Sequence, residues 1–128
     1  MRRIFRSSLF ALLLSASGLL TSAAVAEGYL DMVEDMPLMD GLVETGEGGV
    51  AFDKPAGRII RSTATGDLAP SDIRSFYENA LPPLGWKLTG SDVSGNALTF
   101  ERDGERLEIE VAPLSGQQTE VRFSIEPE

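Results

Sequence analysis

The chain has 128 residues, enough for one small domain, and it carries 11 Lys and Arg against 20 Asp and Glu, for a net charge of −9. It contains neither Cys nor His. The absence of Cys excludes disulfides, thiolate metal sites and a thiol nucleophile, and the absence of His excludes a Ser-His-Asp triad. The acidic balance argues against nucleic acids and anionic membranes as partners, because both require clustered Lys and Arg.

The first 26 residues have the pattern of a secretory signal peptide. Arg2, Arg3 and Arg6 precede a short apolar stretch at residues 9–20, and Ala24-Val25-Ala26 supplies the small residues of a cleavage site. A transmembrane anchor is the alternative, but the stretch is shorter than the ~20 residues that a spanning helix needs. We therefore predict cleavage after Ala26, export to the periplasm in preference to the extracellular medium, and no membrane attachment afterwards.

Residues 27–49 are predicted to form an acidic, loosely ordered arm. The segment carries seven acidic residues and no Lys or Arg, and it ends in a glycine-rich loop. A short amphipathic helical turn is predicted before Pro37, from the spacing of Tyr29, Met32, Val33 and Met36. The arm either docks on the main body or contacts a partner protein. The residues assigned to partner docking are Met32, Met36, Leu38 and Met39.

Neither a metal site nor a cofactor site is predicted in this arm. The run Gly46-Glu47-Gly48-Gly49 lacks the Lys and the Ser or Thr of a phosphate-binding loop. The acidic residues do not follow the Asp-x-Asp-x-Asp-Gly spacing of a calcium loop. The carboxylates are therefore interpreted as a solvated surface.

Residues 50–128 are predicted to form an α+β domain. A β-prone segment at residues 58–65 precedes a helix that starts near Pro70, with Ser71 or Asp72 as its N-cap, and that ends at Pro82-Pro83. The apolar stripe of the helix comprises Ile73, Phe76, Tyr77, Ala80 and Leu81. The predicted order is β-α-β-β-β-β, with an optional edge strand at residues 50–52. A single helix then packs on one face of a largely antiparallel sheet of four or five strands.

Two hairpin loops are predicted in the last forty residues, a two-residue loop at Asp103-Gly104 and a three-residue loop at Leu114-Ser115-Gly116. Both registers place apolar residues opposite apolar residues and acids opposite bases, which supports them. The predicted pairs are Phe100 with Leu107, Glu101 with Arg106, Ile109 with Val121, and Glu108 with Arg122.

Asp53, Lys54, Arg58 and Arg61 are the candidate residues for binding a ligand or partner. They concentrate basic charge around one turn of an acidic protein, and loops of this kind often carry function. The alternative is a polar strand end that only balances the charge of the protein. Trp86, which follows a Pro-Pro-Leu-Gly turn, is expected to pack beneath the end of the helix.

Three segments of the chain occur together in a known group of proteins. Phe76-Tyr77, Leu81-Pro82 and Leu84-Gly85-Trp86 form the pattern FYxxxLPxLGW. Residues 52–59 and the strand pair Phe100-Glu101-Arg102 and Leu107-Glu108-Ile109 accompany it. In these segments, which span about residues 36–127, the chain resembles an uncharacterised family of small exported, periplasmic proteobacterial proteins. The resemblance implies a fold and no particular activity.

The sequence predicts a small binding or accessory domain without catalytic residues, because His, Cys and recognisable catalytic motifs are lacking. One alternative is an interaction or inhibitory module that docks on an envelope protein through its acidic arm. A less favoured alternative is a small hydrolase with a carboxylate pair such as Glu108 and Glu110, which would need a cleft to tune their pKa values. The partner is expected to be an envelope protein or a small ligand, and the oligomeric state is left open.

Overall fold

A computed structural model describes residues 28–46 and 49–128. The predicted signal peptide lies outside these residues, as does the middle of the glycine-rich run. Within the described ranges there are nine strands, one α-helix and one 3₁₀ helix. The strands are β1 (Gly28–Leu30), β2 (Val33–Leu38), β3 (Val43–Glu44), β4 (Val50–Lys54), β5 (Gly57–Gly66), β6 (Lys87–Ser91), β7 (Ala97–Arg102), β8 (Glu105–Pro113) and β9 (Thr119–Pro127). The α-helix is α1 (Pro70–Ala80) and the 3₁₀ helix is Pro82–Leu84.

Seven of these strands form one antiparallel sheet, in which six follow the order β3-β5-β9-β8-β7-β6 and the seventh, β4, pairs with β5. Strands β1 and β2 form a separate hairpin. Ile60 and Arg61 pair with both β4 and β9, so β4 lies on the same edge of β5 as β3. The α+β class and the largely antiparallel sheet are confirmed. The predicted number of four or five strands is wrong, because the acidic N-terminal segment contributes strands of its own.

The β7–β8 hairpin has the predicted register. Phe100 lies opposite Leu107, and Glu101 lies opposite Arg106. Asp103 and Gly104 both have positive φ, 49° and 77°, as the two-residue turn requires. Local turn chemistry therefore determines this pairing.

The β8–β9 register differs from the predicted one by two residues. Ile109 lies opposite Phe123, and Glu110 lies opposite Arg122. The reason is a longer loop: β8 ends at Pro113 and β9 begins at Thr119, so residues 114–118 connect them. A shift by two residues leaves every side chain on its predicted face, so the predicted core of β9 is unchanged.

Helix α1 buries three residues of its predicted stripe against the sheet, whereas Phe76 and Ala80 of the same stripe are half-buried. Ile73, Tyr77 and Leu81 are fully buried, and the ring of Tyr77 meets that of Phe123 edge to face at 5.4 Å. The predicted side-chain cap is wrong, because the N-cap is Ala69 and it makes no side-chain hydrogen bond. Proline at the first helical position needs no acceptor for an N–H group, which lessens the need for a cap.

The N-terminal segment requires the largest correction. Its predicted helical turn is instead the β1–β2 hairpin, in which Tyr29 lies opposite Pro37. Leu30, Val33 and Met36 are fully buried and belong to the same core as the main sheet. Residues 28–46 therefore form a packed part of the domain rather than a loosely ordered arm.

Among the described residues, no helix has the length and apolar character needed to cross a membrane.

Candidate functional site

An apolar groove of about 410 Å³ lies between the β1–β2 hairpin and one flank of α1. We call it the hairpin–helix groove. Its lining residues are Tyr29, Glu34, Asp35, Pro37, Phe76, Ala80 and Leu84. The volume falls within the range of small-ligand sites, about 300–1,000 Å³.

The helical wall of the groove comes from the flank of the apolar stripe that the sheet leaves partly uncovered. Phe76, Ala80 and Leu84 follow one another at four-residue intervals, beside the residues that face the sheet. The ring of Phe76 packs edge to face on Tyr77 at 5.0 Å, which holds it at the boundary between core and groove. Leu84 belongs to the 3₁₀ helix and is 41% exposed.

The hairpin wall is attached to α1 through the hydroxyl of Tyr77. This hydroxyl donates a hydrogen bond to the carbonyl oxygen of Pro37 at 3.0 Å and accepts one from the backbone N–H of Met39 at 3.4 Å. Burial raises the pKa of Tyr77 well above its ordinary value. The hydroxyl is therefore neutral at physiological pH and able to donate.

Replacing Tyr77 with Phe is expected to lower the free energy of unfolding by about 1–3 kcal/mol, because the Pro37 carbonyl loses its hydrogen-bond donor. The raised pKa adds a pH dependence. The contribution of the neutral hydroxyl is fully present below the pKa of an unfolded-chain Tyr, about 10, and is lost as the pH rises above it. Urea unfolding at neutral and alkaline pH tests this: the difference between the wild type and Y77F should narrow above that value. A constant difference would contradict it.

Arg102 of β7 joins the two walls of the groove. Its guanidinium donates to Asp35 at 2.7 Å on the hairpin side and to the carbonyl oxygen of Leu84 at 3.1 Å on the helix side. It also lies over the ring of Trp86, 4.2 Å from the centroid. Gly85 has φ of 90°, and a Cβ there would lie 3.3 Å from the Arg102 side chain, so a glycine suits both the backbone and the close approach.

The FYxxxLPxLGW pattern thus builds one side of the groove. Phe76 and Leu84 line it, and Tyr77 bonds the opposite wall. Trp86 is buried as predicted and supports Arg102. Sequence reasoning interpreted the pattern as a fold determinant only and missed the groove. The available signal was the four-residue spacing that continues from Phe76 and Ala80 to Leu84, because it makes the apolar face of this segment wider than the part that the sheet covers.

Negative charge surrounds the hairpin side of the groove. Glu34 and Asp35 are exposed at its rim. Among the described residues, Asp35 forms an ion pair with Arg102, whereas Glu34 forms none. Residues 28–46 contain five acidic side chains and no Lys or Arg. The groove therefore combines an apolar floor with an anionic rim.

The predicted binding residues Asp53, Lys54, Arg58 and Arg61 are not gathered into one site. Asp53 lies opposite Arg58 in the β4–β5 hairpin, and Lys54 lies opposite Gly57 at its tip. Arg58 instead makes a bidentate ion pair with Glu105, at 2.8 Å and 3.1 Å, and this hydrogen bonding raises the pKa of Arg58. Its guanidinium is thereby committed to holding β5 near β8.

Arg61 faces a second depression, of about 390 Å³, on the sheet surface opposite α1. This depression is polar and open, and the two Glu residues considered for hydrolysis, Glu108 and Glu110, stand in it. Arg122 lies among them and pairs with Glu120 at 2.7 Å and with Glu110 at 3.9 Å. Arg122 therefore compensates Glu110 and Glu120, two of the acids on this face.

The residues predicted to dock on a partner also occupy different environments. Met36 is fully buried, and Leu38 and Met39 are half-buried against the core. Of the four, only Met32 is well exposed, at 43%. The prediction that these four residues form one docking surface is therefore wrong, because Met36 is a core residue. Within residues 28–46 and 49–128, no group of three or more acidic side chains is placed to hold a metal ion.

Comparison with known proteins places the chain in a family. Residues 55–121 match the START domain-like family, and since the match covers more than half of the chain, the protein belongs to that family. The matched residues include β5, α1 and strands β6 to β8 but not the β1–β2 hairpin. No similar curated protein and no similar solved structure was found. The prediction that the chain belongs to an uncharacterised family is confirmed at the level of the START domain-like family. Membership of this family is compatible with a ligand-binding domain whose ligand is unspecified.

Proposed function

We propose that the protein is a binding domain that holds the apolar part of its ligand in the hairpin–helix groove. The observation that carries the proposal is the groove itself, a concave apolar surface with exposed Tyr29 and Leu84 at its mouth. A concave surface lined mainly by apolar side chains, with a few polar groups beside them, is typical of ligand sites. Its walls are held in place by hydrogen bonds of Tyr77 and Arg102, so the site is formed before a ligand arrives.

The proposed activity is binding without catalysis, and it is exercised after export from the cytoplasm. The acidic side chains of the groove, Glu34 and Asp35, lie on its open rim, and Asp35 is engaged with Arg102. Solvated carboxylates of this kind lack the buried environment that tunes a general acid or base. We propose that the FYxxxLPxLGW pattern serves binding because it builds the helical wall of the groove.

Filling the groove is expected to abolish the binding of an apolar probe. Ala80 is half-buried on the helical wall, so A80W places an indole ring in the space that a ligand would use. Binding of the neutral dye Nile red, followed by its fluorescence, should weaken by at least about tenfold, the equivalent of about 1.4 kcal/mol of lost contact.

The matched control is A51W. Ala51 is exposed on edge strand β4 and does not line the groove, so this variant should bind Nile red like the wild type. Circular dichroism of both variants checks the fold. Equal binding by A80W and A51W, or an absence of binding by the wild type, would overturn the proposed function.

A further inference from the structure

We propose that the natural ligand of the hairpin–helix groove is a basic amphipathic segment of a partner protein. This inference rests on the proposed function and names the occupant of the same site. The groove supplies an apolar floor, and the hairpin supplies negative charge beside it. An occupant that satisfies both presents apolar side chains on one face and Lys or Arg next to them.

The charged side chains of the hairpin are all acidic, and most of them are exposed to solvent. Its side of the groove carries Glu34 and Asp35, and among the described residues only Asp35 has a basic partner, which still leaves 49% of its side chain accessible. Exposed carboxylates continue beyond the groove at Asp31 and Asp40. Residues 28–46 contain no Lys or Arg, and among the described residues Arg102 is the only base that forms an ion pair with them, so the other carboxylates of this surface are available to the cations of another molecule.

The extent of the acidic surface favours a polypeptide over a small cation. Asp31 precedes β2 and Asp40 follows it, so the two residues lie beyond opposite ends of this strand. A strand of six residues spans about 17–20 Å. A helix of about twelve residues has a similar length, near 18 Å. Such a helix can place two or three apolar side chains in the groove while its basic residues reach carboxylates along the hairpin.

The helical wall is suited to such an occupant. Phe76, Ala80 and Leu84 present a large, a small and a large side chain in turn. The small residue at the centre leaves a hollow for an incoming apolar side chain between two larger ones, as in ridge-into-groove packing of helices. The partner is therefore expected to present apolar residues at three- or four-residue spacing.

The test uses two designed peptides of about twelve residues with the same leucine spacing, one carrying Lys and the other Glu at the remaining positions. Protein is purified from cells that express the full chain. Fluorescence anisotropy gives the dissociation constants, and amide chemical shifts locate the bound peptide. The Lys peptide should bind at least about tenfold more tightly than the Glu peptide at low salt and should lose this advantage as salt is added. The shifted amides should include Tyr29, Ala80 and Leu84.

Two variants of equal charge change separate a specific site from general attraction. E34Q should weaken the Lys peptide by about two- to fivefold, the range expected for one exposed ion pair. E108Q removes a carboxylate from the opposite sheet face and should leave binding unchanged. Equal losses in E34Q and E108Q, or shifts confined to the opposite sheet face, would overturn the inference.

The remaining outcomes distinguish this inference from the proposed function. If both peptides bind equally and E34Q has no effect while Nile red still binds, the basic partner is wrong and the groove remains a binding site. If Nile red and both peptides all fail to bind the wild type, both proposals are overturned.

Discussion

Replacing Phe123 with Ala is expected to lower the free energy of unfolding by about 3–5 kcal/mol. Phe123 is 2% exposed in β9, which pairs with β5 on one side and β8 on the other. Its ring also meets Tyr77 edge to face, so truncation removes the aromatic contact that joins α1 to the sheet. The cavity left at this point is bounded by paired strands that cannot close around it.

Phe52 provides the control for this substitution. It lies on edge strand β4 and is 59% exposed, so F52A should change the free energy of unfolding by no more than about 0.5 kcal/mol. Urea denaturation followed by circular dichroism measures both. Identical unfolding midpoints for F123A and F52A would show that the core is not centred on β9.

Replacing Met36 with Ala is expected to cost about 2–5 kcal/mol, as for other fully buried methionines. Met36 lies in β2 with its side chain in the common core, whereas Met32, in the same hairpin, is 43% exposed. M32A should therefore lie within about 0.5 kcal/mol of the wild type. The comparison decides whether the hairpin is part of the cooperative unit. Near-equal unfolding midpoints for M36A and M32A would contradict this assignment and would support the prediction of a loosely ordered arm.

The hairpin is attached to the domain at three separate points. Tyr77 bonds the backbone of its C-terminal end, and Arg102 pairs with Asp35 in its second strand. At the turn, the carboxylate of Glu44 accepts hydrogen bonds from the backbone N–H of Asp31, at 2.9 Å, and from the hydroxyl of Ser62. One wall of the groove therefore depends on the stability of the whole domain, and a substitution that loosens the hairpin should also weaken binding.

The regions that sequence predicted well are those in which local chemistry determines the structure. The Asp103-Gly104 turn sets its own register, and the α1 stripe sets its own buried face. Local sequence does not determine the register of the β8–β9 pairing. A shift by two residues exchanges Glu108 for Glu110 opposite Arg122 and keeps every apolar residue on the same face. Charge and hydrophobicity fit both registers, and only the length of the loop at residues 114–118 distinguishes them.

The prediction for the N-terminal segment was wrong for a different reason. The spacing of Tyr29, Met32, Val33 and Met36 fits a helical stripe. In the structure a register shift between Tyr29 and Leu30 and a turn at residues 31–32 bring Leu30, Val33 and Met36 into one core. Such a bulged hairpin is stabilised by contacts with distant residues, which a short sequence window does not contain.

The candidate site could be predicted only in part for the same reason. The helical wall of the groove lies within one short segment and follows from its four-residue spacing. The opposite wall comes from residues about 40–70 positions away, joined through pairs such as Tyr77 with Pro37 and Arg102 with Asp35. Likewise, the Glu105 carboxylate that occupies Arg58 is 47 residues away in sequence. Neither pairing has a local signature.

The most direct test of the binding groove is an amide chemical-shift titration of the isotope-labelled protein with 1-octanol, a small neutral apolar probe. The groove predicts saturable shifts at Tyr29, Ala80 and Leu84, with the amides of Arg61 and Glu108 on the opposite sheet face unmoved. Shifts centred on Arg61 and Glu108, or no saturable shift along the hairpin and α1, would contradict the assignment of the hairpin–helix groove as the binding site.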